Sequence, residues 1–336
     1  MEKIQSRDYA IDSLKLLCAF LVITVHTAPS PTFDYGATWT GWLTSLNKVA
    51  VPCFFMISGF FIYTPDRETM GGRLRSTLSK VWRITLWSSA IYIIIHLFSF
   101  GVEGFNKNAL SRFVFYNLPP FGVHLWYLFA YIYLLGILRY ANRKGVINKL
   151  FITIPFLLLL SVLLGRYSFL IGHNHSMPIE LTRNFFFAAL PYFMLGAYLK
   201  TKRERIEKIS RRAAIFVTLA LVLLSASELW VHTSVGLRTR GDFFVTTPML
   251  ATSLLILFMK IPQRRDNIFS KIGRKDSLYI YIFHIAVIRM LLPICGYMVR
   301  TVWADIYIGI FPIVVFIISI AVSELFRRYL LPLWTK

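Results

Sequence analysis

The sequence predicts an all-α polytopic membrane protein of about ten transmembrane helices, with both termini cytoplasmic. Three observations predict it. The 336 residues are 56% hydrophobic and 16% aromatic, with a mean hydropathy of +0.59, more apolar surface than a soluble domain needs. The apolar residues gather into runs near the roughly 20 residues that cross a bilayer, with polar residues collected between them. The basic residues fall on alternate connections: 28 of the 37 Lys and Arg lie before residue 16 or in 64–83, 139–149, 200–212, 260–275 and 327–336. By the positive-inside rule that side is cytoplasmic, and an even number of spans returns both ends to it. The +21 formal charge therefore reads as topology and not as a nucleic-acid surface.

The spans read as 11–28, 43–63, 81–100, 122–138, 150–166, 184–199, 213–232, 243–260, 277–295 and 306–326. The first, IDSLKLLCAFLVITVHTA, carries polar groups at Asp12, Lys15 and His26 and lacks a small-residue cleavage site, so no cleavable signal peptide is expected. The second holds Pro52, tolerable if neighbouring helices satisfy the freed carbonyl. The connections 29–42, 101–121, 167–183, 233–242 and 296–305 are too short for a separate folded domain. Residues 1–336 thus read as one membrane domain with no evident internal repeat, unlike the common repeat-built carriers.

Polar residues then sort by depth. Steps of 3, 4, 3 and 4 place Asp12, Lys15, Ala19, Val22 and His26 on one helical face. Lys15 and His26 stand roughly 16 Å apart along it. Ionisable groups cost roughly 3 kcal/mol or more in a bilayer, so such a stripe suggests a polar path facing protein or water. His26, His124, Arg183, Asn184, Glu228 and Asp242 lie toward the outer ends of their spans. Lys15, Arg73, Arg75, Lys80, Arg83 and His284 lie toward the cytoplasmic side. The basic run GGRLRSTLSKVWR (71–83) fits a phosphate-bearing cytosolic ligand, and equally an orientation signal or contacts to anionic lipid heads. His26 is a candidate general base. Glu228 either orients an imidazole, accepts a sugar hydroxyl or is simply hydrated. His96 reads as structural. Trp126, within HLWYLFAYIY (124–133), belongs to aromatics that suit an interfacial belt or stacking on sugar rings. His173 to Ser176, HNHS, reads as a solvated loop, with a metal pair or glycosylation sequon as alternatives. Cys18, Cys53 and Cys295 lie in apolar runs and form neither a disulfide framework nor a metal site; no metal is expected. There is no P-loop, dinucleotide fingerprint or zinc spacing.

Taken in order, several segments resemble the acyltransferase 3 family of integral membrane acyltransferases. These are IDSLKLLCAFLVITVH, VAVPCFFMISGFFIY (49–63), KVWRIT (80–85), HLWYL (124–128), LTRNFFFAALPYFMLGAYL (181–199) and SLYIYIFHIAVI (277–288). The family usually has Arg where this chain has Lys15, which keeps the charge and loses the planar fork. The resemblance implies transfer of an acyl group, most simply acetyl, from cytosolic acetyl-CoA or another acyl-CoA to a hydroxyl of an extracytoplasmic envelope glycan or glycolipid. The setting it implies is a bacterial cytoplasmic membrane. It implies His26 as general base or acyl carrier, with Glu228 and Asp12 as further catalytic candidates. Lys15, Arg83, Lys80, Arg73, Arg75 and His284 would contact the donor, and His124, Trp126, Arg183, Asn184 and Asp242 the acceptor. Part of the pattern also resembles the membrane half of membrane-bound serine racemases. A small-solute transporter or accessory module of such a system is therefore the rival expectation.

Overall fold

A computed structural model describes residues 8–27, 44–103, 105–172, 178–235, 241–263, 265–299 and 304–330, and among the described residues every regular element is helical. Twelve principal helices follow one another: α1 Tyr9–Thr27, α2 Ala50–Ile62, α3 Arg67–Phe100, α4 Lys107–Tyr116, α5 Trp126–Lys144, α6 Thr153–Leu163, α7 Leu190–Thr201, α8 Arg211–Ser234, α9 Thr246–Met259, α10 Ile268–Lys275, α11 Ser277–Val299 and α12 Ala304–Leu325. Each of the ten apolar runs contains a described helix.

Their lengths divide them. Among the described residues, six helical stretches, some joining adjacent helical segments, are long and apolar enough to cross a membrane: Tyr9–Thr27, Thr44–Ile62, Arg67–Phe100, Val123–Lys144, Arg211–Ser234 and Gly309–Tyr329. A seventh candidate is a pair bent by 76°, Ile268–Lys275 with Ser277–Pro293, and Ile147–Leu163, Phe185–Thr201 and Thr246–Met259 are shorter apolar helices. The protein is thus a helical membrane protein with six or seven candidate spans among the described residues, by length and composition alone.

Local chemistry explains several boundaries. Pro52 offers no N–H to the Lys48 carbonyl, and a turn at Lys48–Val49 separates a one-turn helix, Thr44–Asn47, from α2. Pro52 therefore sits in the first turn of α2, where its missing donor leaves no bond unmade, and needs no rescue by neighbours. Helix α3 begins at Asp66, whose side chain accepts from Thr69 N at 2.7 Å and whose carboxyl is held below its usual range first by the Thr69 side chain and then by this backbone bond. It ends at Gly101, where φ is +60°. At roughly 50 Å, its 34 residues exceed the hydrocarbon thickness, so its basic first half extends beyond the core. The connection read as 101–121 contains α4, whose Leu110, Val114 and Phe115 are all exposed.

The described chain forms two compact units. One joins the residues up to Cys53 with Ile209–Val231 and the chain from Met249; the other joins Phe54–Lys208 with His232–Pro248. In the first, α1 is the centre, packed by α10, α11 and α12, with Phe20 edge-on to Phe316. Gly273 of α10 lies so close to α1 that a Cβ there would overlap the Asp12 carbonyl oxygen. In the second, α3 packs along α5, and α7 meets α2 through Gly59 and Gly196, where added Cβ atoms would overlap the Phe193 and Met56 carbonyl oxygens. Small residues at such crossings let membrane helices approach backbone to backbone.

Candidate active site

Helix α1 carries different chemistry at its two ends. At its start, Lys15 Nζ donates to Asp12 Oδ1 at 2.8 Å, and Arg274 Nη1 lies 4.0 Å from Asp12 Oδ2. Arg274 Nη2 also donates to Asp266 Oδ2 at 2.7 Å. Bonds from Arg274 and Ser270 hold the Asp266 carboxyl below its ordinary range. Asp12 is buried and Lys15 half-buried, so the stripe starts in a compensated charge cluster. The close approach at Gly273 sets this cluster, because it brings the neighbouring Arg274 onto the Asp12 turn.

In the last turn of α1 stands His26, exposed at the surface. Its ring centroid is 5.0 Å from that of His284, with the planes 46° apart. His284 belongs to α11 and is fully buried. His284 Nδ1 lies 2.6 Å from the Tyr281 carbonyl oxygen. A carbonyl only accepts, so Nδ1 is the donor and Nε2 of a neutral His284 carries the lone pair. Between the ends of the stripe, Ala19 and Val22 are buried.

This geometry changes two assignments. Asp12, expected with the catalytic residues, is about 21 Å from the level of His26 along α1 and is engaged by Lys15. His284, expected among the donor contacts toward the cytoplasm, lies instead against His26. His284 is reached through the 76° bend between α10 and α11. Glu228 is half-buried toward the far end of α8.

The second unit holds the other candidates. Arg183 and Asp242 form a two-pronged ion pair: Nε meets Oδ2, and Nη2 donates to Oδ1 at 2.8 Å. Asn184 is a cap and not an open ligand group. Its Oδ1 accepts from Phe186 N and Phe187 N at 2.8 and 2.9 Å, while its Nδ2 donates to the Glu180 and Leu181 carbonyls. These bonds start the π-helical turn Phe185–Ala189. Trp126 is buried, and His124 is buried edge-on to Tyr92 with centroids 4.5 Å apart. His96, as expected of a structural histidine, packs on Phe100 and Phe105 and places Nε2 2.7 Å from the Glu103 carbonyl.

On α3, Arg73 Nη1 donates to the Phe61 carbonyl at 2.9 Å, satisfying the C-terminal turn of α2. Arg73 and Lys80, two turns apart, share a face, whereas Arg75 points about 200° around the helix from Arg73. Lys80 and Arg83 are exposed. The HNHS run at 173–176 lies outside the described residues, as does the side chain of Cys295. Among the described residues, no group of three His, Cys, Asp or Glu is arranged to hold a metal.

Asn117 is a residue the sequence reading missed. It is fully buried, with φ at +54°, and its Nδ2 donates to the Trp126 and Arg183 carbonyls while Oδ1 accepts from Phe185 N. It ties together three segments that contain candidate residues. The available signal was YNLPP, where Asn tolerates the left-handed conformation and two prolines follow.

Fold and site together define a helical membrane protein in which one span joins a buried charge cluster at one end to paired imidazoles at the other. The chain belongs to the acyltransferase 3 family, whose acyltransferase-domain model matches residues 8–325. It is similar to an amino-acid racemase of Enterococcus faecalis, 28% identical over 213 residues, covering 59% of this chain and 29% of that protein. It is also similar to a serine/alanine racemase of Enterococcus gallinarum, 22% identical over 83% of this chain and 40% of that protein. A second Enterococcus faecalis amino-acid racemase is 25% identical over 87% of this chain and 42% of its own length. The chain therefore spans less than half the length of these relatives. No solved structure matches it.

Proposed function

We propose that the chain transfers an acyl group, acetyl in the simplest case, from cytosolic acyl-CoA to a hydroxyl of an envelope glycan or glycolipid outside a bacterial cytoplasmic membrane. The observation that carries this reading is the contact between His26 and His284. In it, the shorter apolar helices and the bent pair also cross the membrane, giving ten spans with both termini inside.

His26 is the base that meets the acceptor, since it is the exposed ring of the pair. It takes the acceptor hydroxyl proton as the oxygen attacks the thioester carbonyl. The carbon–sulfur bond breaks, CoA leaves as the thiolate, and the proton passes from His26 to that sulfur. Attack by His26 itself, forming an acyl-imidazole that the acceptor then cleaves, is equally balanced. His284, held by its bond to Tyr281, sets the position of the His26 ring, and Glu228 orients it from α8. Lys15, Lys80, Arg83 and Arg73 serve the anionic donor on the cytoplasmic side, with Asp12 holding Lys15 in place. His124, Trp126, Arg183, Asn184 and Asp242 shape the acceptor side, the last three by fixing the backbone there.

A second reading has one observation in its favour: the relatives named above are racemases. In it, the chain is a membrane module or small-solute transporter that supplies an amino acid to a racemase. Purified protein in proteoliposomes separates the two. The enzyme releases free CoA thiol from acetyl-CoA; the transporter accumulates labelled serine with no acyl-CoA present. Serine uptake without CoA release would replace the first reading by the second.

A further inference from the structure

Helices α3 and α5 run antiparallel and are clamped at their cytoplasmic ends. The Arg67 guanidinium donates to the Asn142 carbonyl at 3.0 and 3.2 Å and to the Arg143 carbonyl at 2.6 Å, and Asn142 Nδ2 returns a bond to the Arg67 carbonyl at 2.9 Å. Just above this clamp a groove of about 690 Å³ opens between the helices, within the roughly 300–1,000 Å³ of small-ligand sites. Arg75 and Arg139 line its lower part, and Leu78, Trp82, Ile132 and Ile137 line the rest; no carboxylate is among its lining residues.

Two features decide what fits. Two guanidiniums with no carboxylate among the lining residues make this part of the groove cationic and favour an anion, and phosphate oxygens match their donor geometry. The apolar part continues onto the outer surface: Trp82, Leu86 and Leu97 are 50%, 53% and 44% exposed and fall on one face of α3 at steps of 4 and 11 residues. That face, on a spanning helix, meets acyl chains. A soluble anion would use the arginines and leave the groove above them unfilled.

We propose that this groove is a binding site for an anionic glycerophospholipid of the cytoplasmic leaflet. Its phosphate lies between Arg75 and Arg139, and an acyl chain lies along Trp82 and Ile137. Arg75, which sequence reading groups with the acyl-CoA contacts, belongs to this lipid site, on a different face of α3 from Arg73 and Lys80. The proposal does not depend on the transfer reaction.

Native mass spectrometry of the purified full chain, with phosphatidylglycerol or phosphatidylcholine added, tests it. Phosphatidylglycerol should be retained in preference, with affinity reduced about fivefold by Arg75→Gln or Arg139→Gln and about thirtyfold by the double variant. Gly136→Phe is the second variant. Gly136 lines the groove, and a Cβ there meets nothing within 4 Å, so the ring fills the groove without disturbing α5. It should abolish the preference without lowering the thermal unfolding temperature. Equal retention of the two lipids, or a preference untouched by the double variant and by Gly136→Phe, would overturn the proposal. So would displacement of the lipid by equimolar inorganic phosphate, which would mark an anion site with no seat for a chain.

Discussion

Gly273→Ala is the sharpest perturbation of the first unit. The added Cβ would overlap the Asp12 carbonyl oxygen and stand only 2.9 Å from the carbonyl carbon and 3.2 Å from Leu16 N. Non-bonded carbons settle at about 3.5–4.0 Å, so α10 must retreat from α1 by about 1 Å or more. The atoms it meets are helix backbone and cannot swing aside. Overpacking of this kind costs about 1–3 kcal/mol, and the retreat also draws Arg274 away from Asp12. Gly72→Ala is the internal control. Gly72 is an exposed α3 position where a Cβ meets nothing within 4 Å, so relief of glycine's helix penalty should stabilise by about 0.5–1 kcal/mol. The assay is thermal unfolding in detergent of parent, Gly72→Ala and Gly273→Ala. The same chemical change should raise Tm at one position and lower it at the other. Equal shifts would refute the close approach of α10 to α1, and with it the explanation of the charge cluster.

Three further outcomes follow from the ion pairs. Asp242→Ala removes the two-pronged ion pair from the partly buried Arg183 guanidinium and should destabilise by about 3 kcal/mol, while adding Arg183→Ala should recover part of that loss in a double-mutant cycle. Lys15→Arg should keep donor binding and Lys15→Ala should weaken it, read by acetyl-CoA titration of the purified protein. The third concerns acid. Because the folded carboxyl of Asp266 is lowered, its bond to Arg274 contributes stability above the unfolded value near pH 3.9. That contribution is lost as pH falls through the lowered folded value. Asp266→Asn should therefore melt below the parent at pH 7, and the difference should close on acidification.

The helices were legible because crossing a bilayer demands long apolar runs, and each of the ten runs contains one. Their lengths were not, since hydropathy marks apolar surface and not where a ladder breaks: Pro52 divides one run at Lys48–Val49, and α3 continues 14 residues below its apolar half. The polar stripe on α1 was legible from spacing alone. Its division into a charge cluster and a histidine pair was not, because Arg274, Asp266 and His284 come from segments some 250 residues away, joined through a 76° bend that leaves no mark on composition. Asn184 looked like a ligand for the same reason it is a cap, a polar side chain at the mouth of an apolar run. Asn117 was missed because a single buried amide has no periodicity.

Acyl-CoA turnover by purified parent, His26→Ala and His284→Ala, with acetyl-CoA binding measured on the same samples, tests the central claim most directly. His26→Ala should lower the rate by about 10²–10⁴-fold with donor binding unchanged, as expected for a lost general base. His284→Ala should lower the rate in the same sense and change its pH profile, as expected for a residue that positions His26. Full activity in His26→Ala would contradict the assignment of the histidine pair as the reaction centre.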